Sequence, residues 1–156
     1  MLFRSQVSAR QAWVQADPVL LRRILGNLLS NALRYTPQGA VLLAARRAQG
    51  GQSWRLECRD SGVGIEAADQ ARIFEEFVQL HNPERDRRRG LGLGLAIAQR
   101  CAALLGSALS VRSRVGKGSV FSLSLPAATP VLAVDRLAPR HSRVPDTLAE
   151  IGRAHV

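Results

Sequence analysis

The chain has 156 residues, 46% of them hydrophobic, which suits one domain with a core of its own. Its two cysteines, Cys58 and Cys101, are too few and too far apart to indicate a disulfide framework or a cysteine metal site. No apolar run is long enough to cross a bilayer, and no signal-peptide pattern opens the sequence. We therefore expect a cytoplasmic domain with no direct membrane contact, whether or not a longer parent protein is membrane-anchored.

The formal net charge of +10 is compatible with a nucleic-acid partner. However, the arginines are scattered along the sequence, and only residues 85–89 hold a tight cluster. With two tryptophans and one tyrosine, the chain also has little aromatic material on which bases could stack. We therefore expect no nucleic-acid partner, and a basic scaffold stays as an alternative only.

The first predicted elements are a short strand and a long helix. Polar and apolar residues alternate over residues 11–15, which predicts a strand. Asp17 and Pro18 then provide a side-chain cap and a ring pre-set for a first helical turn. Apolar residues recur at helical spacing from there, so the helix should run to about Tyr35, and Pro37 stops it.

The rest of the chain alternates between apolar segments and turn residues. The pattern predicts strands at 40–47 and 54–59 joined by a turn at 49–52, a short helix at 67–74, a polar loop at 78–90, a helix at 92–105, and strands at 108–112 and 119–125. We expect the folded domain to span residues 1–126 and the proline- and arginine-rich residues 127–156 to form a linker or disordered tail. The final residues, 150–156, are similar to the translation of a sequencing adapter.

Two asparagines stand one turn apart on the first helix. Asn27 and Asn31 are four residues apart, so both face the same way, and Arg34 and Tyr35 continue that face. Asparagine is a poor helix former, so this pair favours a binding role over hydrogen bonding within the helix. An amide oxygen from Asn31 can complete a Mg2+ shell made mostly of phosphate and water oxygens, and Arg34 can neutralise phosphate charge.

Asp60 ends a strand of mixed polarity and is followed by Gly62 and Gly64. A carboxylate at that position can accept a hydrogen bond from the amino group of adenine, and glycines let the backbone approach a flat base. A simple turn is the alternative interpretation, because aspartate, serine and glycine are common in turns. This segment alone does not decide between the two.

Two further glycine-rich segments complete the pattern. Residues 90–94 place three glycines at the start of a helix, where free backbone N–H groups bind phosphate oxygens. Their spacing is not the dinucleotide fingerprint, because Ile97 stands where that motif needs a small residue. Residues 116–119 hold a second element, whose spacing differs from a Walker loop. With the asparagines and Asp60, these segments predict a site for Mg-ATP.

In this order, the motifs resemble those of the ATP-binding catalytic domain of bacterial sensor histidine kinases, over residues 11–126. That domain belongs to a superfamily with DNA gyrase, heat-shock 90-type chaperones and mismatch-repair ATPases. The resemblance implies an α+β fold of two layers, with a mixed sheet of about five strands, about three helices on one face, and ATP between helix and lid. The matching segments are 27–35 for the N box, 60–65 and 90–94 for the two glycine boxes, 74–77 for the F box, and 116–119 for the last glycine element.

Carried over position by position, the resemblance assigns roles to individual residues. Asn31 would ligate Mg2+, Asn27 would support it, and Asp60 would bind the adenine amino group. Phe74 and Phe77 would anchor a lid at residues 78–89 by packing against the core, and the arginines of that lid would reach the terminal phosphate. Asn31 and Arg34 would serve catalysis. The other positions expected to contact ATP are Tyr35, Gly62, Gly64, Ile65, Leu91, Gly92, Leu93, Gly94 and Ser119.

The sequence departs at one position from the pattern of the relatives that hydrolyse ATP. In gyrase-type relatives, the residue four before the metal-binding asparagine is a glutamate that activates water. Here Asn27 stands at that position, and an amide cannot take up a proton at neutral pH. The resemblance therefore implies that ATP donates its γ-phosphate to a protein histidine, with no base required from this domain.

The acceptor histidine is expected on another domain. None of His81, His141 and His155 lies on a helix with the acidic neighbour of a phosphoacceptor motif. The expected partners are therefore the histidine-bearing dimerisation domain of a parent kinase and, indirectly, a response-regulator receiver domain. We do not expect autophosphorylation by this domain alone. An ATP-hydrolysing or serine-phosphorylating relative and a non-catalytic nucleotide-binding module stay open as alternatives.

Overall fold

The computed structural model describes residues 2–7, 12–78 and 92–129. The strands form one sheet in which the first two are parallel and all other neighbours are antiparallel. Both helices contribute to one core with the same side of the sheet, which confirms the predicted two-layer α+β fold. The elements are β1 (Leu2–Val7), α1 (Pro18–Tyr35), β2 (Ala40–Ala48), β3 (Ser53–Asp60), α2 (Gly94–Leu104), β4 (Leu109–Arg114) and β5 (Gly118–Pro126), in the sheet order β1-β2-β3-β5-β4.

α1 begins where the sequence predicts. The Asp17 carboxylate accepts hydrogen bonds from the N–H groups of Val19 and Leu20 at 2.7 and 3.1 Å, which satisfies donors that the first helical turn leaves unpaired. Ile24 and Leu28 follow at helical spacing and are buried in the core. This buried stripe fixes the rotation of α1, and with it the position of the stripe that contains the two asparagines.

The core lies between the inner face of the sheet and the two helices. Alternate residues of each strand point to this side, and Cys58 of β3 is paired in register with Phe121 of β5. Ala98 and Ala102 of α2 are fully buried, and their small side chains let that helix approach the sheet closely. The buried members of the core are Ile24, Leu28, Ala32, Val41, Cys58, Ile73, Ala98, Cys101, Ala102, Leu109, Phe121, Leu123 and Leu125.

The strand predicted at residues 11–15 is wrong. In its described part only Val14 forms a bridge, to Ala127, and the first strand of the sheet is β1, which comes earlier in the chain. β1 lies parallel to β2, with Leu2 opposite Ala40. An edge strand is stabilised by its partner, here distant in sequence, so local alternation does not reveal it.

The helix predicted at residues 67–74 is replaced by two separate 3-10 turns, Ala67–Asp69 and Arg72–Phe74. Among the described residues, no side chain caps either turn by a hydrogen bond. Gln70 lies between the turns, and its side-chain amide donates to distant main-chain carbonyls. A segment this short does not recover the cost of nucleating an α-helix, so tertiary contacts set its shape.

The second long helix begins at Gly94, two residues later than predicted. Gly92 has a φ of +71°, which no residue of a right-handed helix adopts. Apart from Val78, the loop predicted at 78–90 lies outside the described residues, as do Leu91 and the tail beyond residue 129. In the described part of the chain, no helix is both long and apolar enough to span a membrane.

Replacing the capping residue of α1 tests the physical basis of the helix start. Asp17→Ala should lower the free energy of unfolding by about 1 kcal/mol, because the N–H groups of Val19 and Leu20 lose their acceptor. Urea denaturation followed by circular dichroism measures this change. Asp17→Asn keeps an oxygen acceptor and should lose less than about 0.5 kcal/mol. Equal losses in the two variants would contradict the capping role.

Candidate functional site

A cavity of about 320 Å3 opens between α1, the start of α2 and the sheet. Asn31 lines it from α1 and Asp60 lines it from the end of β3, so the two side chains predicted for opposite ends of a nucleotide share one space. The volume lies at the lower end of the range for small-molecule pockets. The predicted site residues that line this cavity are Asn27, Asn31, Arg34, Tyr35, Asp60, Gly64, Ile65, Gly92, Leu93, Gly94 and Ser119.

Two predicted site residues lie beside the cavity rather than on its wall. A Cβ on Gly62 would collide with the main-chain carbonyl of Tyr35, so this glycine lets its loop pack against the end of α1. Phe74 packs edge-on against Phe121, with ring centroids 6.4 Å apart, next to the hydrophobic core. The packing expected of Phe77 is wrong, because its side chain is 68% exposed and lies outside that core. The position predicted at Leu91 lies outside the described residues.

Part of the cavity wall is formed by residues that were not individually predicted to contact ATP, some of them within the predicted motifs. Ser30 stands between Asn27 and Arg34 at helical spacing, so the periodicity of α1 could have revealed it. The others are apolar. Val63 lies within the predicted first glycine box and Val78 at the start of the predicted lid, whereas the remaining three have no local signal because their exposure to the cavity depends on tertiary packing. Together they supply a wall suited to a flat, weakly hydrated ring. The lining residues missed from sequence are Ser30, Val63, Ile73, Val78, Leu95 and Ile97.

The two asparagines of α1 have different surroundings. The Asn27 amide donates to the Arg23 carbonyl at 3.0 Å, so this side chain does form a hydrogen bond within the helix. Its Oδ1 faces α2, where a Cβ on Gly94 would come within 3.2 Å of it. No described residue forms a hydrogen bond with the side chain of Asn31, which leaves that amide available to a ligand in the cavity.

The Asp60 carboxylate is held by main-chain donors. Its Oδ1 accepts hydrogen bonds from the N–H groups of Gly62 at 2.9 Å and Ser119 at 3.2 Å. No described residue donates to Oδ2, so this oxygen is the one available to a ligand. Burial raises the pKa of Asp60 above its ordinary value, and the two N–H groups only partly oppose that effect.

The loop that follows Asp60 is tied to the last two strands. Ser113 Oγ accepts a hydrogen bond from the Ile65 N–H at 2.8 Å and lies 2.9 Å from Ser119 Oγ. The side-chain amide of Gln70 donates to the carbonyls of Ile65 and Ser113 at 3.3 and 3.0 Å. These hydrogen bonds keep Asp60, Ile65 and Ser119 in a fixed arrangement on one wall of the cavity.

Two glycines allow close contact between main chains at this wall. A Cβ on Gly64, whose φ is +74°, would collide with the Arg114 carbonyl. A Cβ on Gly118, whose φ is +90°, would collide with the carbonyl of Asp60. The close approach that glycine permits is therefore used by the protein's own backbone at these positions, and Gly64 also lines the cavity.

α2 begins at the opposite wall. Leu93 occupies the N-cap position, and no described side chain caps the helix by a hydrogen bond. Gly92, Leu93 and Gly94 all line the cavity. The first N–H groups of a helix have no acceptor within it and lie at the positive end of its dipole, so this end of the cavity suits a phosphate group.

A Mg2+ ion at this cavity would need oxygen ligands. Among the described residues, no group of three or more histidine, cysteine, aspartate or glutamate side chains could hold a metal ion. Mg2+ bound to ATP does not require such a group, since it keeps water and phosphate ligands and takes one or two protein oxygens. The unbonded amide of Asn31 fits that requirement. Burial, with a smaller contribution from the charge of Asp60, raises the pKa of Cys58 to about 11, so this thiol offers no thiolate ligand.

Comparison with known sequences identifies the family. The family model that describes the histidine kinase-, DNA gyrase B- and HSP90-like ATPases matches residues 16–129. The sensor protein TorS of Escherichia coli (strain K12) is 43% identical over 113 residues, which are 72% of this chain and 12% of TorS. The circadian input-output histidine kinase CikA of Synechococcus elongatus is 39% identical over 131 residues, which are 83% of this chain and 17% of CikA.

Solved structures of histidine kinases are similar to this chain, in agreement with the family match. Full-length ShkA in complex with AMPPNP superposes with a TM-score of 0.70 and 38% identity, over 82% of this chain and 26% of ShkA. The mycobacterial sensor histidine kinase MprB superposes with a TM-score of 0.67 and 28% identity, over 81% of each chain. The chain therefore belongs to the histidine kinase-, DNA gyrase B- and HSP90-like ATPase family, as its motifs predict, and sensor histidine kinases are among its similar relatives.

Proposed function

We propose that this domain binds Mg-ATP and donates the γ-phosphate to a histidine on a separate dimerisation domain of a two-component sensor kinase. The observation that carries the proposal is the shared cavity, because Asn31 and Asp60 line one space of about 320 Å3 although they belong to different elements. Membership of the ATPase family and the similarity to ShkA, which was solved in complex with AMPPNP, support ATP as the ligand.

The adenine end of the site is built on Asp60. Because Oδ1 already accepts from the N–H groups of Gly62 and Ser119, Oδ2 accepts the amino hydrogen of adenine. Val63 and Ile65 supply apolar surface for the ring. A purine with a 6-oxo group places an acceptor oxygen where adenine has its amino group, so acceptor would face acceptor at Oδ2 and the site selects adenine.

The phosphate end is built on the two helices. The N–H groups at the start of α2, from Gly94 onward, bind phosphate oxygens, and Arg34 neutralises part of their charge. Asn31 would hold Mg2+, which when bound supplies charge neutralisation at the transferred phosphoryl group. The protein's own contribution to catalysis is therefore positioning of the triphosphate and electrostatic stabilisation.

Transfer to a protein nucleophile, rather than to water, is supported by Asn27. This neutral amide donates its hydrogen to the Arg23 carbonyl and has no basic site with which to activate water. An acceptor histidine brings its own nucleophilic nitrogen. Steady release of inorganic phosphate by the domain alone would instead favour the hydrolytic branch of the family.

The acceptor and the later steps belong to a longer protein in this proposal. The chain spans only 12% of the length of TorS and 17% of CikA. We place the acceptor histidine on the dimerisation domain of a parent kinase, from which a response-regulator receiver domain takes the phosphoryl group. The catalytic domain occupies residues 1–126 and acts in the cytoplasm.

Removing the amide of Asn31 tests the metal-binding role. Asn31→Ala should weaken Mg-ATP binding by roughly tenfold or more, because the metal loses its protein oxygen. Isothermal titration calorimetry with Mg2+ and with a chelator separates the two forms of the nucleotide. Binding of metal-free ATP should change less than twofold. Equal losses with and without Mg2+ would show that Asn31 does not act through the metal.

A neutral isostere at position 60 tests adenine recognition. In Asp60→Asn, the oxygen keeps the N–H groups of Gly62 and Ser119, which forces the new NH2 group to face the ligand. The NH2 group of the variant would then face the amino group of adenine, and neither could accept a hydrogen bond from the other. ATP binding should therefore weaken by roughly tenfold or more. Inosine triphosphate, with an oxygen in place of the amino group, should bind the variant at least as well as it binds the original protein. Parallel losses for both nucleotides would contradict this role.

The pH dependence of ATP binding should report the ionisation of Asp60. Protonation removes an acceptor from the carboxylate, so the affinity should fall as the pH drops through the Asp60 pKa. Because burial raises that pKa, the loss should begin at a higher pH than an ordinary aspartate would give. Nucleotide titrations from neutral to acidic pH measure the midpoint. The acidic loss should be absent in Asp60→Asn, and its persistence there would assign it to another group.

A further inference from the structure

The face of the sheet that points away from α1 and α2, called here the outer sheet face, gathers arginines that are scattered in the sequence. Side chains alternate between the two faces of a strand, so residues opposite to the core positions form this surface. Most of these arginines are exposed, and Arg59 is half-buried. The arginines of the outer sheet face are Arg4, Arg46, Arg55, Arg59, Arg112 and Arg114.

The strand register arranges these arginines in rows. Arg4, Arg59 and Arg112 lie in one row across the sheet, each separated from the next by one intervening strand, which gives spacings of about 10 Å. Arg46 and Arg55 lie directly opposite each other in a second row, four residues further along β2 and β3. The positive charge is therefore spread over all of the strands except β5.

Glu57 lies between the two rows and is the single acidic residue on the outer sheet face among the described residues. Its carboxylate accepts from Arg59 Nε at 3.0 Å and Arg59 Nη2 at 2.6 Å, and Arg46 Nε lies 4.0 Å away. The Glu57 side chain is only 4% exposed, whereas those of Arg46 and Arg59 are 51% and 37% exposed. One carboxylate is therefore already embedded among guanidinium groups whose edges still reach solvent.

The opposition of Arg46 and Arg55 is unfavourable for folding, because like charges directly opposite on neighbouring strands repel each other. Apart from Gln6 and Glu57, the positions between the two rows hold small side chains, Ala44, Ser110 and Ser122. Ala44 and Glu57 are only 2% and 3% exposed on this face, so neighbouring side chains cover them, while Arg46 and Arg55 stay exposed. This arrangement costs stability and exposes charge, as expected of a binding surface rather than of a purely structural one.

We propose that the outer sheet face docks an acidic protein surface in a weak, transient complex. Carboxylates would accept charge-assisted hydrogen bonds from the exposed guanidinium groups, as one oxygen of Glu57 accepts from both Nε and Nη2 of Arg59. Five strands and the two rows span an area on the order of 400 Å2, well below the roughly 800 Å2 that each partner buries in a stable complex. Attraction here is mainly electrostatic and speeds encounter more than it strengthens the complex.

Two other classes of anionic partner fit the outer sheet face less well. Its described positions carry no aromatic side chain on which a nucleic-acid base could stack. Neighbouring strands rotate by about 20–25° each, so the face is twisted through the five strands and cannot lie flat on a lipid bilayer. A protein surface or a flexible acidic peptide can follow that twist.

The cavity lies on the other side of the sheet, among the helices. A partner bound to the outer sheet face therefore leaves the site open to nucleotide, and the two binding events can be measured separately. The proposal does not depend on the function proposed for the cavity.

The test uses the whole chain, labelled with 15N, titrated with poly-L-glutamate at physiological ionic strength and followed by NMR chemical shifts. We expect shifts concentrated on β2, β3 and β4 and affinity that weakens with added salt. The double variant Arg55→Gln with Arg112→Gln should bind roughly tenfold more weakly. Its matched control, Arg22→Gln with Arg23→Gln on the exposed side of α1, loses the same charge and should change less than twofold.

Thermal unfolding and ATP titration of both double variants show whether each is folded with an intact cavity. If the control lost as much affinity for poly-L-glutamate as the outer-face variant, net charge alone would explain the loss, and the proposal would be overturned. Tighter binding of the same face to duplex DNA, or to vesicles of phosphatidylserine and phosphatidylcholine, at equal concentrations of negative charge would assign it to another class of partner. The absence of shifts on the outer sheet face would also overturn the proposal.

Discussion

Two main-chain N–H groups, from Gly62 and Ser119, converge on one oxygen of Asp60, and the candidate site depends on this constraint. It leaves the second oxygen without a donor among the described residues, and it couples the end of β3 to β5 and to the loop that follows β3. Because burial raises the pKa of Asp60, the folded chain binds a proton there more tightly than the unfolded chain does. Ionisation of Asp60 at neutral pH therefore lowers the stability of the folded chain.

The close packing around this carboxylate explains the glycines better than contact with a ligand does. Gly62, Gly64 and Gly118 each meet a main-chain carbonyl of a neighbouring segment, where a Cβ would collide. Their absence of a side chain lets the end of α1, the loop after β3 and the turn between β4 and β5 come together. The cavity wall around Asp60 is thus a product of backbone packing, while the opposite wall presents the first N–H groups of α2, to which the proposed function assigns the phosphates.

Each face of the sheet has its own chemistry. The inner face holds the apolar core and, at the end of β3, the half-buried carboxylate of Asp60. The outer face holds separated arginines around Glu57, with small residues between them. Successive side chains of a strand point to opposite sides, so a single strand such as β3 serves both surfaces: Cys58 and Asp60 face inward, and Glu57 and Arg59 face outward.

The sequence by itself determined what depends on neighbouring residues: the capped α1, the hairpin of β2 and β3, the helix after the glycines, and the order of motifs that identifies the family. It did not determine β1 or the two 3-10 turns, since their structure depends on partners distant in the chain. Only the tertiary structure decided that Asn31 and Asp60 line one cavity, and that Asn27 forms a hydrogen bond within α1 while Asn31 does not. It also decided that scattered arginines share a face, because strand register and helix packing, which bring distant residues together, are set by the whole core.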